Sequence, residues 1–255
     1  MPRALVLAVL TAITVTAACG SPQEEQQVRP VAVDEQAFAT LPEATTFATI
    51  EGLPRDHGAE PTEGQVLRVV EDVVVHDAVG GRAVATLPAT QVGSPTWVPE
   101  VERRGDWSRV LLPNRPNRSS GWVHTGGDDV ERAGNDHLVT VDRAAYRLEV
   151  LERGRSIGRW TVGVGSAEHP TPVGRTFVLA SIEETVTDFS RYVLPLGAHS
   201  DSHETFGGGP GTVALHGWPD ATPFGTASSD GCVRVPDDAL DVLLTLPLGT
   251  VVIVK

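Results

Sequence analysis

Two residues in this chain have the types and the spacing for nucleophilic chemistry. Cys232 sits in Ser-Ser-Asp-Gly-Cys-Val-Arg (228–234), sixteen residues after His216 in Leu-His-Gly (215–217). A thiolate, not a thiol, attacks a carbonyl carbon, and a neighbouring imidazole can accept the thiol proton. Gly231 lacks a Cβ, so its backbone can take unusual dihedrals and approach a substrate closely. The N–H groups of Gly231 and Cys232 are then candidates to hold a developing oxyanion. Arg234 carries a guanidinium that can grip a carboxylate through two hydrogen bonds. Ser229 is placed to hydrogen-bond within the motif or to substrate. His216 ends the apolar run Thr212-Val213-Ala214-Leu215, which predicts a strand that fixes the imidazole on a rigid element.

The only other cysteine is Cys19, so Cys232 has no disulfide mate in the folded part of the chain. Cys19 closes an apolar stretch that begins after Met1-Pro2-Arg3. The stretch has the length of a secretory core and falls short of the roughly 20 apolar residues that span a bilayer. Ala17-Ala18-Cys19 resembles a bacterial lipobox with Thr16 in place of the usual leucine. That resemblance implies lipidation at Cys19, export, and an anchor on the outer face of the plasma membrane. The 255 residues carry a net charge of -13 with no basic cluster, which argues against nucleic acid as a partner.

Beyond the leader (1–19), residues 20–64 read as a flexible tether. Prolines recur, and the apolar residues keep no sustained period. Residues 65–126 contain five short β-prone runs separated by turn signals, which predicts a small barrel or sandwich. Gly-Asp-Trp-Ser-Arg-Val (105–110) with Gly121-Trp122-Val123 resembles a bacterial SH3-type domain. In 137–255, alternation around Asp142–Ala145 predicts a hairpin. One helix is expected, with Pro236 at its first position, Asp237 and Asp238 in its first turn, and Leu240, Leu243 and Leu244 on one face. Thr250–Val254 is expected to close the chain as a strand. The fold class expected is mainly β: a small SH3-like β-barrel, then a mainly β domain with one C-terminal helix.

His216-Gly217 followed by Ser229-Asp230-Gly231-Cys232-Val233-Arg234 resembles the active-site motif of the L,D-transpeptidases, the YkuD-type catalytic domain. Pro170-Thr171-Pro172-Val173-Gly174 is similar to a turn of that family. Ala198-His199-Ser200-Asp201 and the glycines after Phe206 are similar to the stretch before the histidine in its actinobacterial members. The resemblance implies a β-sandwich, no cofactor, Cys232 as nucleophile and His216 as base, and a substrate-binding place for His199. It also implies attack on a peptidoglycan stem tetrapeptide, a thioester, and resolution by an acceptor stem to give a 3→3 cross-link. Carbapenems would acylate the same cysteine. Hydrolysis of the thioester would make the chain an L,D-carboxypeptidase, and loss of chemistry would leave a cell-wall-binding lipoprotein. Asp230 departs from the histidine common before Gly-Cys, and a carboxylate there should disfavour the thiolate.

A metal alternative lies in His199-Ser-Asp201-Ser-His203. On a strand these three would share a face as ligands. The glycine-rich surroundings point instead to a loop, where that spacing does not make a metal site.

Overall fold

Alternating apolar and polar runs become the strands that dominate the regular structure. The computed structural model describes residues 28–206 and 208–255; the expected leader, Cys19 and residues 20–27 lie outside these. A short helix, α1 (Glu35–Phe38), is capped by the Asp34 side chain. The next strands are β1 (Gln65–Val69), β2 (Val73–His76), β3 (Ala83–Leu87), the ribbon β4 (Thr90–Gln91) and β5 (Ser94–Pro95), β6 (Trp97–Arg104), β7 (Trp107–Leu111), β8 (Ser120–His124) and β9 (Val130–Gly134). Seven of them form one antiparallel sheet in the order β3-β2-β8-β7-β6-β1-β9, with β3 and β9 at its edges. The sheet thus has two more strands than the sequence suggested and runs past residue 126. Trp107 is buried at its centre, and its indole N–H donates to the Val28 carbonyl at 2.6 Å.

The expected tether does not describe residues 41–56. Ala44, Thr46, Ile50, Leu53 and Asp56 are buried, and single β-bridges tie Glu43, Thr49 and Arg55 to Thr86, Arg115 and Ser119. The segment covers the sheet in irregular conformation, so its apolar residues follow the surface beneath them rather than a helical or strand period.

The remainder begins with β10 (His137–Asp142), β11 (Arg147–Glu152), β12 (Arg155–Thr161), β13 (Val164–Gly165) and β14 (Gly174–Phe177). It continues with β15 (Ile182–Glu183), β16 (Tyr192–His199), β17 (Thr212–His216), β18 (Ala227–Ser229), β19 (Val233–Arg234), α2 (Asp237–Leu243) and β20 (Val251–Val254). The expected hairpin is β10–β11, in register from His137↔Glu152 to Asp142↔Arg147. One sheet has the order β12-β11-β10-β20-β14 and a second the order β15-β16-β17-β19. The last strand is central, which explains its unbroken Val-Val-Ile-Val run: all four residues are buried. Val139, Leu148 and Val252 of the first sheet share one core with Leu194, Leu215 and Val233 of the second and with Leu240 and Leu243 of α2. Pro236 is the N-cap of α2 rather than its first residue, because its ψ of 160° is still extended.

The two halves interlock. Phe177 and Leu179, at and just beyond β14, are buried in the same apolar cluster as Ile50, Leu53, Leu67 and Val110. Arg175 of β14 makes a bidentate pair with Asp56 at 2.7 and 3.0 Å, with both side chains buried.

Candidate active site

Strands β17 and β19 run parallel, with Leu215 opposite Val233 and His216 opposite Arg234. The pairing is locked beyond the strands by the Val235 N–H, which donates to the His216 carbonyl at 2.8 Å. Cys232 immediately precedes β19. The parallel register therefore sets it level with Ala214, two residues before His216 on β17, although sixteen residues separate cysteine and histidine in sequence. Both side chains line one groove of about 580 Å³, a size suited to an extended small ligand.

His216 is buried at the end of β17. Its Nδ1 lies 2.7 Å from the Gly217 carbonyl oxygen. That oxygen only accepts, so Nδ1 carries the proton and Nε2 keeps its lone pair. Burial pulls the imidazole down to about 4; the Gly217 carbonyl opposes this, and the Arg234 charge reinforces it. Near neutral pH the ring is an uncharged base. Phe189 packs edge-on against it at 4.9 Å between ring centres.

The nucleophile turn is braced from within. Gly231 adopts φ of +121°, in the region that L side chains rarely enter. The buried Ser229 hydroxyl donates to the Cys232 carbonyl and accepts from the Gly231 N–H at 3.2 Å. Ser229 thus acts inside the turn. The Gly231 N–H, expected at the oxyanion, is engaged by it in this conformation. Burial pushes the Cys232 thiol above its ordinary value; the Ala214 backbone and Arg234 oppose the rise, and the Asp230 carboxylate adds to it. The thiol and the imidazole that line the groove are therefore both uncharged near neutral pH.

Arg234 lies with its guanidinium carbon 3.9 Å from the centre of the Trp218 ring. This cation–π contact holds the cation in the His216 neighbourhood. His199 is a correction to the sequence reading. It is wholly buried, with Nε2 2.7 Å from the Thr46 carbonyl and 3.0 Å from the Thr46 hydroxyl. Its backbone exchanges hydrogen bonds with the Asn117 side chain, both at 2.7 Å. It joins the N-terminal segment to β16 and has no surface for substrate. The alternating ligand set falls with it, since the Asp201 carboxylate accepts from Asn117 and His203 is held through its carbonyl by Arg115.

Sequence reasoning missed the groups that aim His216. The Ser190 hydroxyl accepts from the Gly217 N–H at 2.7 Å and donates to the Tyr192 carbonyl at 2.6 Å. No motif marks Ser190 or Phe189; they arrive through the pairing of β16 with β17. Thr46, Phe47 and Val92 of the N-terminal half also line the groove. The loop between β7 and β8 supplies Arg115, whose guanidinium donates to the carbonyls of Ser200, His203 and Pro210 at 3.1–3.2 Å.

A β-sandwich that brings a cysteine and an uncharged, buried histidine together at the ends of two parallel strands is, by class, a candidate cysteine acyl-transfer domain. Residues 136–254 match the family model of the L,D-transpeptidase catalytic domain, YkuD. Among solved structures, the chain is similar to an L,D-transpeptidase from Mycobacterium smegmatis: 17% identity over 55% of this chain and 75% of that one, TM-score 0.40. It is similar to Mycobacterium tuberculosis L,D-transpeptidase 3 in complex with a faropenem-derived adduct: 19% identity, 55% and 74% covered, TM-score 0.40. It is also similar to Mycobacterium tuberculosis L,D-transpeptidase 1: 17% identity, 62% and 76% covered, TM-score 0.40. A search of curated protein sequences gave no match.

Proposed function

We propose that the chain is a peptidoglycan L,D-transpeptidase that forms 3→3 cross-links through a thioester on Cys232. The observation that carries this reading is the β17–β19 register, which sets Cys232 beside His216 in one groove. Nε2 of His216 takes the thiol proton as sulfur attacks the carbonyl of the third stem residue. The tetrahedral oxyanion is held by backbone N–H groups of the turn, the Cys232 N–H among them. On collapse the C–N bond breaks, His216 protonates the departing D-alanine amine, and a thioester remains. An amine of a second stem then attacks the thioester, gives its proton to His216, and releases the thiolate, which takes that proton back.

Donor and acceptor stem peptides are the partners, and carbapenem-type β-lactams are covalent inhibitors of the same thiol. The leader ending in Cys19 supports an exported lipoprotein held on the outer face of the plasma membrane. Among the described residues no helix is long and apolar enough to cross a membrane.

Intact-protein mass spectrometry with a carbapenem tests the site: a single adduct is expected on the wild type and none on Cys232→Ala. Absence of the adduct on folded wild-type protein would overturn the proposal. Muropeptide products then separate cross-linking, which gives dimers, from trimming, which gives tripeptides.

A further inference from the structure

Asp230 faces two histidines that the acyl-transfer scheme does not use. His169 lies in the loop between β13 and β14, and His203 in the loop between β16 and β17. Their rings pack with centres 4.1 Å apart, tilted by 58°. One donor atom from each histidine and one carboxylate oxygen of Asp230 lie within 4.8 Å of one another. We propose that His169, His203 and Asp230 form a binding site for a divalent cation of the zinc type, beside the nucleophile turn.

The donor set suits this class of ion. Two imidazoles and a carboxylate are a common three-ligand combination for zinc, with a fourth position left for water or another ligand. Bonds of about 2.0–2.2 Å place tetrahedral ligand atoms roughly 3.4 Å apart, so closing the site takes at most roughly 1.4 Å of side-chain movement. The surroundings hold the rings in advance. The Ser202 hydroxyl lies 2.9 Å from Nδ1 of His169 and 3.4 Å from Nδ1 of His203. A hydroxyl on one ring nitrogen orients an imidazole and leaves the other nitrogen for an ion.

The loops are braced too. The Ser200 hydroxyl accepts from the backbone N–H groups of Ser202 and His203, and the Ser166 hydroxyl accepts from that of His169. The Arg115 cation nearby is turned toward three backbone carbonyls rather than toward the cluster. Glu168 and Glu204 adjoin the two histidines in sequence, so the local charge favours a cation. An ion bound here would join two loops to the turn that carries Cys232. The site is separate from the acyl-transfer scheme and stands or falls independently of it.

The test uses the full chain, free of any affinity tag, with Cys232→Ser so that the thiol cannot supply a ligand. Dialysis against zinc chloride followed by metal analysis should give one zinc per chain. Cobalt(II) chloride should give a visible spectrum of tetrahedral type that zinc displaces. His203→Ala and the near-isosteric Asp230→Asn should each weaken binding at least tenfold and remove the zinc-dependent rise in melting temperature. His137→Ala, remote from the cluster, should keep both. Circular dichroism checks that the variants are folded; Asp230 is exposed, so its amide variant is expected to fold. No zinc bound at micromolar concentration, or binding unchanged in folded Asp230→Asn and His203→Ala, would overturn the proposal.

Discussion

His216 and Gly217 are bonded to each other through Nδ1 and a carbonyl oxygen 2.7 Å apart, so the backbone next to the base decides which nitrogen of the base is free. With the proton fixed on Nδ1 and burial opposing a second proton, His216 is poised as an acceptor before any substrate arrives.

The pH dependence of acylation should show this. The imidazole is held at about 4 rather than its ordinary 6.5, and the thiol is raised. The rate of carbapenem acylation should therefore be flat through the ordinary histidine range and fall only as pH approaches 4. Stopped-flow measurements of the adduct, with circular dichroism at each pH, check it; a loss of rate centred near 6.5 would refute the assignment.

His216→Gln keeps the bulk of the ring and removes the base. Acylation of Cys232 should slow by about 10²–10⁴-fold, the usual worth of a positioned general base. The variant should still bind the β-lactam non-covalently. Single-turnover kinetics separate the two effects.

Ser190→Ala tests the brace behind the base. It leaves the Gly217 N–H without its acceptor, which costs about 1–3 kcal/mol where the group is shielded from water. Acylation should drop about tenfold as the imidazole loses its fixed aim. Ser190→Thr keeps a hydroxyl and should recover much of the rate, an outcome that general destabilisation would not produce.

Stability should fall in acid through the buried histidines. His199 and His216 are both held at about 4 in the folded chain, mainly by burial. The unfolded chain binds protons at these residues near 6.5, so their contribution is complete above 6.5 and is lost as pH falls from 6.5 toward 4. Urea denaturation across that range should show it. His199→Asn, lower in stability at pH 8, should unfold with about one proton fewer taken up.

Arg175→Met should cost about 3–5 kcal/mol, because Asp56 is then left as a buried charge without its partner. Adding Asp56→Leu to Arg175→Met should recover part of the loss. A single variant within 1 kcal/mol of wild type, by denaturant melts, would show the pair to be dispensable.

The groove pair Cys232 and His216 and the strand ending in His216 were legible because each is written in a short local pattern. So were the β10–β11 hairpin and α2. What was not legible depends on long-range pairing. Ser190 reaches Gly217 only because β16 lies against β17. His199 looked like a groove residue by its place before the histidine motif, yet Thr46, 153 positions away, encloses it. Residues 41–56 had no period to read, because a segment that covers a sheet in irregular conformation is patterned by the surface below it. Asp230 was visible as a departure beside the nucleophile, but its two histidine neighbours come from separate loops.

Phe177 and Leu179 lie in the domain that carries Cys232 yet are buried in the core of the other half, and Arg175 beside them pairs with Asp56. Proteolysis or truncation just ahead of residue 136 would strip that cover and present two large apolar side chains and a bare cation to water. The half that carries Cys232 is thus not a detachable module, and recombination that grafts it elsewhere would have to carry along the N-terminal sheet or a surface shaped like it.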